Sequence, residues 1–430
     1  MLLRDATVGR LKSLTATLRS NETLLSLSVM QMVIMLGFGM VSPVLPLYAR
    51  SFGVSAAMVG LLVTIYGVAR LFTNLPTGLL ADRIGRRPLM LAGPIFTGVG
   101  ALIAAVATDF WLLLAARFVQ GVGSALFATA AMIVVGDISR PETRGRVMSF
   151  FQGSLLLGTS IGPTVGGISA ALFGYRGVFI VYALSSVGVW FWGYFRVRET
   201  RTMETVDDAP TKRGGARKSA GALGLFANLS FVAVSAVSIA VFFTRTGSRF
   251  TVIPLLGAED LGLSALTIGN VLTLGSIANV LVLPFAGWSI DRLGRKRTIV
   301  PSTFISCLGI LMFAFAPNLI TFAAASAVLG IGTGIAGPAP AAYVADLARG
   351  RSFGATMGLF RTVSDVGFVA GPVTLGWIAD QRGYSYALYV NAALLFAAAV
   401  FFALFARETR VTEEVIASGP ERTAQRTADD

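Results

Sequence analysis

The amino-acid sequence predicts an all-α membrane protein: twelve transmembrane helices in two pseudo-symmetric six-helix bundles. Three observations carry that expectation. Hydrophobic residues make up 54% of the 430 and charged residues only 13%, where soluble domains carry about 25% charged residues. Long apolar runs fill the chain. Backbone groups cannot go unpaired in hydrocarbon, so such runs must be helices of roughly 20 residues; a barrel would need strand alternation, which is absent. Finally, the chain is duplicated: Gly78, Asp82, Arg83, Gly85, Arg86 and Arg87 recur as Gly287, Asp291, Arg292, Gly294, Arg295 and Lys296, shifted by 209 positions. The same shift carries Gly162-Pro163 onto Gly371-Pro372, Asp137 onto Asp346, and Arg198-Glu199-Thr200-Arg201 onto Arg407-Glu408-Thr409-Arg410. Four block matches at one offset are not accidental.

In chain order, residues 1–23 form a basic leader whose Leu11, Leu14 and Leu18 fall at helical spacing among Arg10, Lys12 and Arg19. An interfacial helix and a solvated topology signal both fit that pattern. The first span, 24–48, is longer than a signal peptide's apolar region and lacks a small-residue cleavage site, so it should remain as a helix. Spans at 57–80, 88–107, 110–136, 147–172 and 177–195 complete an N-terminal bundle over 24–195. Residues 196–223 read as a flexible cytoplasmic linker, since Asp207, Asp208, Pro210, Gly214 and Gly215 leave little that could build a core. A C-terminal bundle over 224–406 takes spans at 225–254, 264–290, 298–316, 319–345, 353–379 and 384–406, and 407–430 is a polar cytoplasmic tail. Glycine and proline are dense in the spans, as at Gly37, Gly39, Pro43 and Pro46, which lets helices approach closely and bend.

The formal charge of +13 raises the question of nucleic acid, but its distribution answers otherwise. The termini and the alternate loops at 81–88, 137–147, 196–223, 291–298 and 346–353 hold 27 of the 35 basic residues, whereas the opposite loops carry only Arg50, Arg176 and Arg382. By the positive-inside rule both termini are cytoplasmic, in a multi-pass protein of the cytoplasmic (inner) membrane. Histidine is absent, and the single Cys307 lies in the ninth span, so an internal disulfide is impossible. With no acid pair in the spans either, neither general acid–base work nor metal chemistry has its parts. The string nearest a phosphate loop, Gly214-Gly215-Ala216-Arg217-Lys218-Ser219, lacks a glycine before its lysine, so ATP bound to this chain is not a power source. An enzyme, a metal site and a bound cofactor are therefore not expected.

Three motifs carry more specific information. In Gly78-Leu-Leu-Ala-Asp82-Arg83-Ile-Gly85-Arg86-Arg87, a tight Gly85 turn joins two spans while the arginines hold it on the cytoplasmic side. Asp82 could then sit against the positive N-terminal end of a neighbouring helix. The second motif is Leu114-Ala-Ala-Arg117-Phe-Val-Gln120-Gly121-Val-Gly123, and the third is Gly158-Thr-Ser-Ile-Gly162-Pro163-Thr-Val-Gly166-Gly167. In the third, Gly158, Gly162 and Gly166 share a face at spacing four beside Pro163, so close helix packing is its proximate role.

These stretches resemble, in turn, the loop between helices two and three, the fourth-helix motif and the fifth-helix antiporter motif of the major facilitator superfamily. The last is typical of its drug:proton antiporters, and the resemblance covers about residues 24–406. It implies a secondary transporter, built as two homologous halves about one site, exporting a small organic or amphiphilic compound with the proton gradient as its energy source. It also implies that Asp82 approaches the start of helix eleven near 352–354 and that Arg86 pairs with Asp137. Together with Gly78, Arg83 and Gly85, and with the mirrored Asp291, Arg295 and Asp346, these residues would latch the cytoplasmic side. Gly158, Gly162, Pro163, Gly166 and Gly167, with Gly371 and Pro372, would seal the halves against leak. Leu375 stands where Gly166 would map, so helix eleven should pack less tightly there. The implied partners are a small-molecule substrate and the lipid bilayer, with the chain acting as a monomer and without nucleic acid.

Charged residues inside spans cost about 2.5–3.5 kcal/mol each at the bilayer centre on insertion scales, so each is a functional candidate. Asp365, the only acid well inside a span, follows Arg361 by one helical turn; it is either half of a structural pair or a proton-titratable carboxylate. Arg117, with Gln120 beside it, matches the fourth-helix arginine that the family associates with proton coupling. Arg70 sits mid-span, opposite Asn279 in the repeat, and either lines the pathway or pairs across to Asp365. Arg245 and Arg249 share a face of the seventh span, where snorkelling to headgroups is the alternative. Gln31, Asn74, Gln120, Gln152, Asn270 and Asn279 read as interhelical glue, with substrate contact the alternative. Five arginines against one aspartate in the spans favour neutral, zwitterionic or anionic amphiphiles over permanent cations. A permease of the same superfamily importing a nutrient or metabolite is the alternative within the class, and a channel the alternative outside it.

Overall fold

The computed structural model describes residues 22–139, 143–197, 199–200, 224–348 and 353–409. The leader up to residue 21, most of the expected linker and the tail beyond 409 lie outside the described residues. Among the described residues thirteen α-helices follow in order: α1 Glu22–Arg50, α2 Ala56–Ile84, α3 Arg86–Ala105, α4 Phe110–Asp137, α5 Arg144–Arg196, α6 Leu229–Phe243, α7 Ile253–Glu259, α8 Ala265–Arg292, α9 Arg295–Ala314, α10 Leu319–Ala336, α11 Pro338–Leu347, α12 Phe353–Arg382 and α13 Tyr384–Phe405. A nine-residue π-helical segment, Thr244–Val252, joins α6 to α7.

Eleven segments among the described residues are long and apolar enough to cross a membrane, one fewer than the twelve spans expected. The difference is the run Arg146–Arg196, which contains two expected spans in 51 residues. At about 1.5 Å per residue it would be more than twice the roughly 30 Å hydrocarbon thickness. Gly174 breaks its helical geometry at φ 70, ψ 179.

The duplication extends to features that the motifs do not contain. The six positive-φ glycines form three pairs at the offset of 209: Gly53 with Gly262, Gly85 with Gly294, and Gly174 with Gly383. Glycine alone enters that region without strain, so each pair marks a turn inherited twice. Helix caps are duplicated too. The Ser55 hydroxyl accepts from Met58 N and the Ser264 hydroxyl from Thr267 N; Asp109 accepts from Trp111 N and Leu112 N, and Asn318 from Thr321 N. The N–H of Leu112, with that of Trp111, holds the Asp109 carboxyl below the usual carboxylate range.

Within the first half α1 packs along α5 and α3 along α4, while in the second α9 packs on α10 and α13, and α12 on α6 and the π segment. Two seams join the halves, α2 with α12 and α5 with α8. The core is apolar, with Tyr66, Tyr182, Phe231 and Phe313 among its fully buried side chains. Cys307 is buried in α9 and its thiol donates to the Ala392 carbonyl at 3.3 Å.

Candidate functional site

The helix ends bearing Arg83, Arg86, Arg292 and Arg295 define a basic face, and among the described residues both seams are sealed at the end away from it. On α2, a Cβ at Gly60 would meet the Pro372 carbonyl oxygen at 2.2 Å, one at Gly67 would meet the Phe368 ring at 2.7 Å, and Thr64 donates to the Val369 carbonyl at 2.7 Å. Asp380 closes the top of this seam by accepting from Ala56 N at 2.7 Å and Ala57 N at 2.8 Å, capping α2 from α12. The α5–α8 seam repeats the arrangement: a Cβ at Gly269 would lie 2.3 Å from the Pro163 carbonyl oxygen, and Thr164 bonds Thr273 and Asn270. Arg50 adds a two-pronged ion pair to Glu259 at 2.6 and 2.8 Å, and Tyr384 joins both. Arg50 and Glu259 are themselves 209 apart, so the pair joins equivalent points of the two halves.

Toward the basic face the same helical stripes are uncovered. On α2 the stripe through Gly60, Thr64 and Gly67 continues to Leu71 at 41% exposure, Leu75 at 73% and Gly78, where a Cβ would meet nothing within 4 Å. It ends at Asp82, whose side chain is 73% exposed and 3.7 Å from Arg86. On α8 the stripe through Gly269 and Thr273 continues to Ile277, Trp288, Gly287 and Asp291, all exposed, with open space at Gly287. Among the described residues the two seams thus frame a vestibule, closed at one end and uncovered at the basic face. Of the stretch 352–354 expected beside Asp82, residue 352 lies outside the described residues, and 353 and 354 are described by their backbone alone.

The remaining latch residues brace each half internally. Arg86 pairs with Asp137 at 3.3 Å, tying the start of α3 to the end of α4, and Arg295 with Asp346 at 2.8 Å, tying the start of α9 to the end of α11. These pairs do not cross between halves. Sequence reasoning missed their companions. Glu199 accepts from Arg86 N and Arg87 N at 3.0 Å each, and Glu408 accepts from Arg295 N and Lys296 N, so the repeated Arg-Glu-Thr-Arg string supplies carboxylates to the N-termini of α3 and α9. Thr200 and Thr409 then donate to Asp137 and Asp346. The signal was present in the duplication itself.

The glycine stripe of α5 faces α1 rather than the other half. A Cβ at Gly158 would meet the Met32 carbonyl at 2.3 Å, at Gly162 the Gly39 Cα at 2.6 Å, and at Gly166 the Met40 carbonyl at 2.1 Å; Gly167 and Pro163 are the members that reach α8. In α12, Gly371 abuts Phe243 and the Pro372 carbonyl abuts Gly60. Packing at Leu375 is not loose as expected. Leu375 is fully buried, with its side chain against Gly247 of the π segment, so the small residue has moved to the partner helix.

At the centre, Arg117 is 2% exposed, donates to Gln120 Oε1 at 2.5 Å and to the Leu62 carbonyl at 3.4 Å, and lies 4.5 Å from the centre of the Tyr66 ring. Arg70 approaches the same ring at 6.0 Å, and Phe38 links Tyr66 to Phe250 with 5.3 Å between ring centres on each side. These aromatics, which the sequence analysis does not single out, stand together beside the two arginines. Arg249 bonds Ser276 and the Leu272 carbonyl of α8 and therefore points inward rather than to headgroups. Arg361 and Asp365 stand 3.8 Å apart on α12. Asn74, Asn270 and Asn279 each bond a threonine on a neighbouring helix, as glue residues should. A separate groove of about 560 Å³ lies between α1 and α5 near the basic face, lined mainly by apolar side chains with Arg146 at its edge; it does not touch the arginine-lined centre.

Comparison with known proteins agrees with this architecture. An uncharacterized MFS-type transporter of Methanocaldococcus jannaschii is 25% identical over 351 residues, 81% of this chain and 89% of the relative. Multidrug resistance protein MdtH of Salmonella is 23% identical over 81% of this chain and 85% of its own. Among solved structures, a bacterial homolog of the human lysosomal transporter Spinster, in an inward-facing and unoccupied conformation, superposes with a TM-score of 0.75 at 16% identity, covering 89% of this chain and 96% of that one. The model of the Major Facilitator Superfamily, whose members are membrane transporters and not enzymes, matches residues 27–247 and again 237–428. This chain belongs to the Major Facilitator Superfamily.

Proposed function

We propose that the chain is a secondary active exporter that moves a small organic or amphiphilic solute out of the cell by alternating access, driven by inward proton flow. One observation carries this reading: the same stripes on α2 and α8 are sealed at one end and open at the other, at positions duplicated by 209 residues. Two halves that rock about the centre would close Gly78 and Gly287 onto their partners while parting Gly60 and Gly269. The solute would then be exposed first to one side and then to the other. In this reading Gly174 divides Arg146–Arg196 into two crossings, giving twelve helices in two six-helix bundles, 24–195 and 224–406. The basic face is cytoplasmic, with both termini on that side of the inner membrane. The structure then represents the state open to the cytoplasm. Asp82 and Asp291 would meet their partners only in the opposite state, while Arg86–Asp137 and Arg295–Asp346 keep each bundle rigid. The chain works as a monomer without a bound cofactor. The multidrug names of relatives support an amphiphilic substrate. Asp365, about 18 Å along α12 from its start at the basic face, would carry the proton near mid-membrane.

The test is transport into or out of proteoliposomes with an imposed pH gradient, using fluorescent amphiphiles as solutes. Uphill movement that a protonophore abolishes is the expected result. Downhill movement indifferent to the protonophore would make the chain a facilitator, and steady conductance in a planar bilayer would make it a channel.

A further inference from the structure

Five arginines enter the membrane-spanning segments, and the structure divides them into two kinds. Arg117 and Arg249 are committed to protein partners, Arg117 to Gln120 and Tyr66 and Arg249 to α8. Arg70, Arg245 and Arg361 come from three different segments toward one place. Phe368 on α12 marks its upper rim, because its ring abuts Gly67 of α2 and its carbonyl accepts from Thr246 of the π segment at 3.0 Å. From that level, chain direction places Arg70 three residues toward the basic face, Arg245 one, Asp365 three and Arg361 seven. Arg70 and Arg361 lie within electrostatic range of both Arg245 and Asp365. Among the described residues the guanidinium groups of Arg70 and Arg245 donate no hydrogen bond to the protein. Among the described residues one carboxylate stands with three guanidinium groups and leaves two positive charges in excess, on the basic-face side of the seal at Phe368. Arg245 lies in the π-helical segment, a geometry rare in proteins and frequent at functional sites.

We infer that Arg70, Arg245 and Arg361 form an anion-binding site at the roof of the vestibule, which takes the carboxylate or sulfonate headgroup of an organic anion with an apolar body. The inference rests on the reading above that the vestibule is the transport pathway. Guanidinium forks match such headgroups in pairs of parallel hydrogen bonds, and a bound anion supplies the missing countercharge. Asp365 repels the anion while charged and ceases to do so when protonated or replaced, which couples the site to its only acid.

The full chain in phosphatidylcholine nanodiscs, with no gradient, would be titrated with 2-naphthoate, 2-naphthalenesulfonate and 2-naphthylmethylammonium by thermal shift and equilibrium dialysis. Both anions bind and raise the Tm, and the cation does not. Arg245→Gln and Arg70→Gln each weaken anion binding at least tenfold, Asp365→Asn strengthens it severalfold, and Arg146→Gln, in the groove between α1 and α5, leaves it unchanged. Equal binding of cation and anions overturns the proposal, as does anion affinity indifferent to Arg245→Gln and Arg70→Gln. Should those two variants fail to fold, unchanged or weaker anion binding in Asp365→Asn overturns it instead. Phosphatidylglycerol retained by the wild type and lost from Arg245→Gln in native mass spectrometry would assign the site to a lipid phosphate and overturn the soluble-anion assignment. Because the measurement is at equilibrium, anion-selective binding without pumping would refute the export reading alone, and pumping of cations without anion binding would refute the site alone.

Discussion

Glycines at the two ends of one helical stripe should control opposite states of the molecule. A methyl group at Gly60 would stand 2.2 Å from the Pro372 carbonyl oxygen and 2.5 Å from its carbon, backbone atoms that cannot rotate away. Gly60→Ala must therefore push α2 and α12 apart at the sealed end. Overpacking of this kind costs about 1–3 kcal/mol. The cost falls only on the state in which this seam is closed, so the ratio of the two states shifts by about 5- to 150-fold against the one described. At Gly78 the space is empty in this state, and Gly78→Leu costs nothing here but obstructs closure at the basic face. Spin labels on cysteines replacing Leu79 and Trp288, in a Cys307→Ser background, would report the separation of α2 and α8 at the basic face by pulsed electron resonance. Gly60→Ala should shift the distribution toward short distances and Gly78→Leu toward long ones. The reasoning fails if Gly60→Ala folds but leaves the distribution unchanged, or if both variants shift it the same way.

Other expectations concern single contacts. Glu199→Gln weakens the carboxylate cap on Arg86 N and Arg87 N and should lower stability by about 1 kcal/mol, more than the same change at the exposed Glu408, as read by thermal unfolding in detergent. Glu259→Gln breaks the Arg50 pair, whose side chains are a third exposed, and should cost the described state about 0.5–1 kcal/mol, visible as a modest shift toward short distances with the same spin labels. Asp365→Asn leaves Arg361 and Arg70 facing a neutral amide, so proton-driven transport should lose its pH dependence while solute exchange without a gradient persists. An unchanged pH profile in that variant would leave Asp365 with a structural role only.

Much of the architecture was legible because duplication repeats information. The 209-residue offset exposed the Gly85 and Gly294 turns and the paired acids Asp137 and Asp346 without any coordinates. Gly53 with Gly262 and Gly174 with Gly383 obey the same offset, but a lone glycine in a loop announces no φ, and these turns went unrecognised. Arg50 and Glu259 were hidden for a different reason: the repeat places opposite charges at equivalent positions, so similarity between halves does not reveal the pair. Tyr66, Phe38 and Phe250 carry no motif, and nothing in the sequence says that two arginines share the Tyr66 ring. The π segment has only a faint sign, the polar interruption Thr244-Arg-Thr-Gly-Ser-Arg249 within an apolar span. Leu375 shows the limit of mapping one half on the other, because packing conserves the sum of two facing volumes and not the residue on either side.

The rocking of the two halves is tested most directly by forbidding it. Cysteines replacing Arg50 and Glu259, joined by a short bis-methanethiosulfonate linker in the Cys307→Ser background, would hold the sealed end shut. Solute transport in proteoliposomes should stop on linking and return when the linker is cleaved by reductant. Undiminished transport through the linked protein would contradict the account.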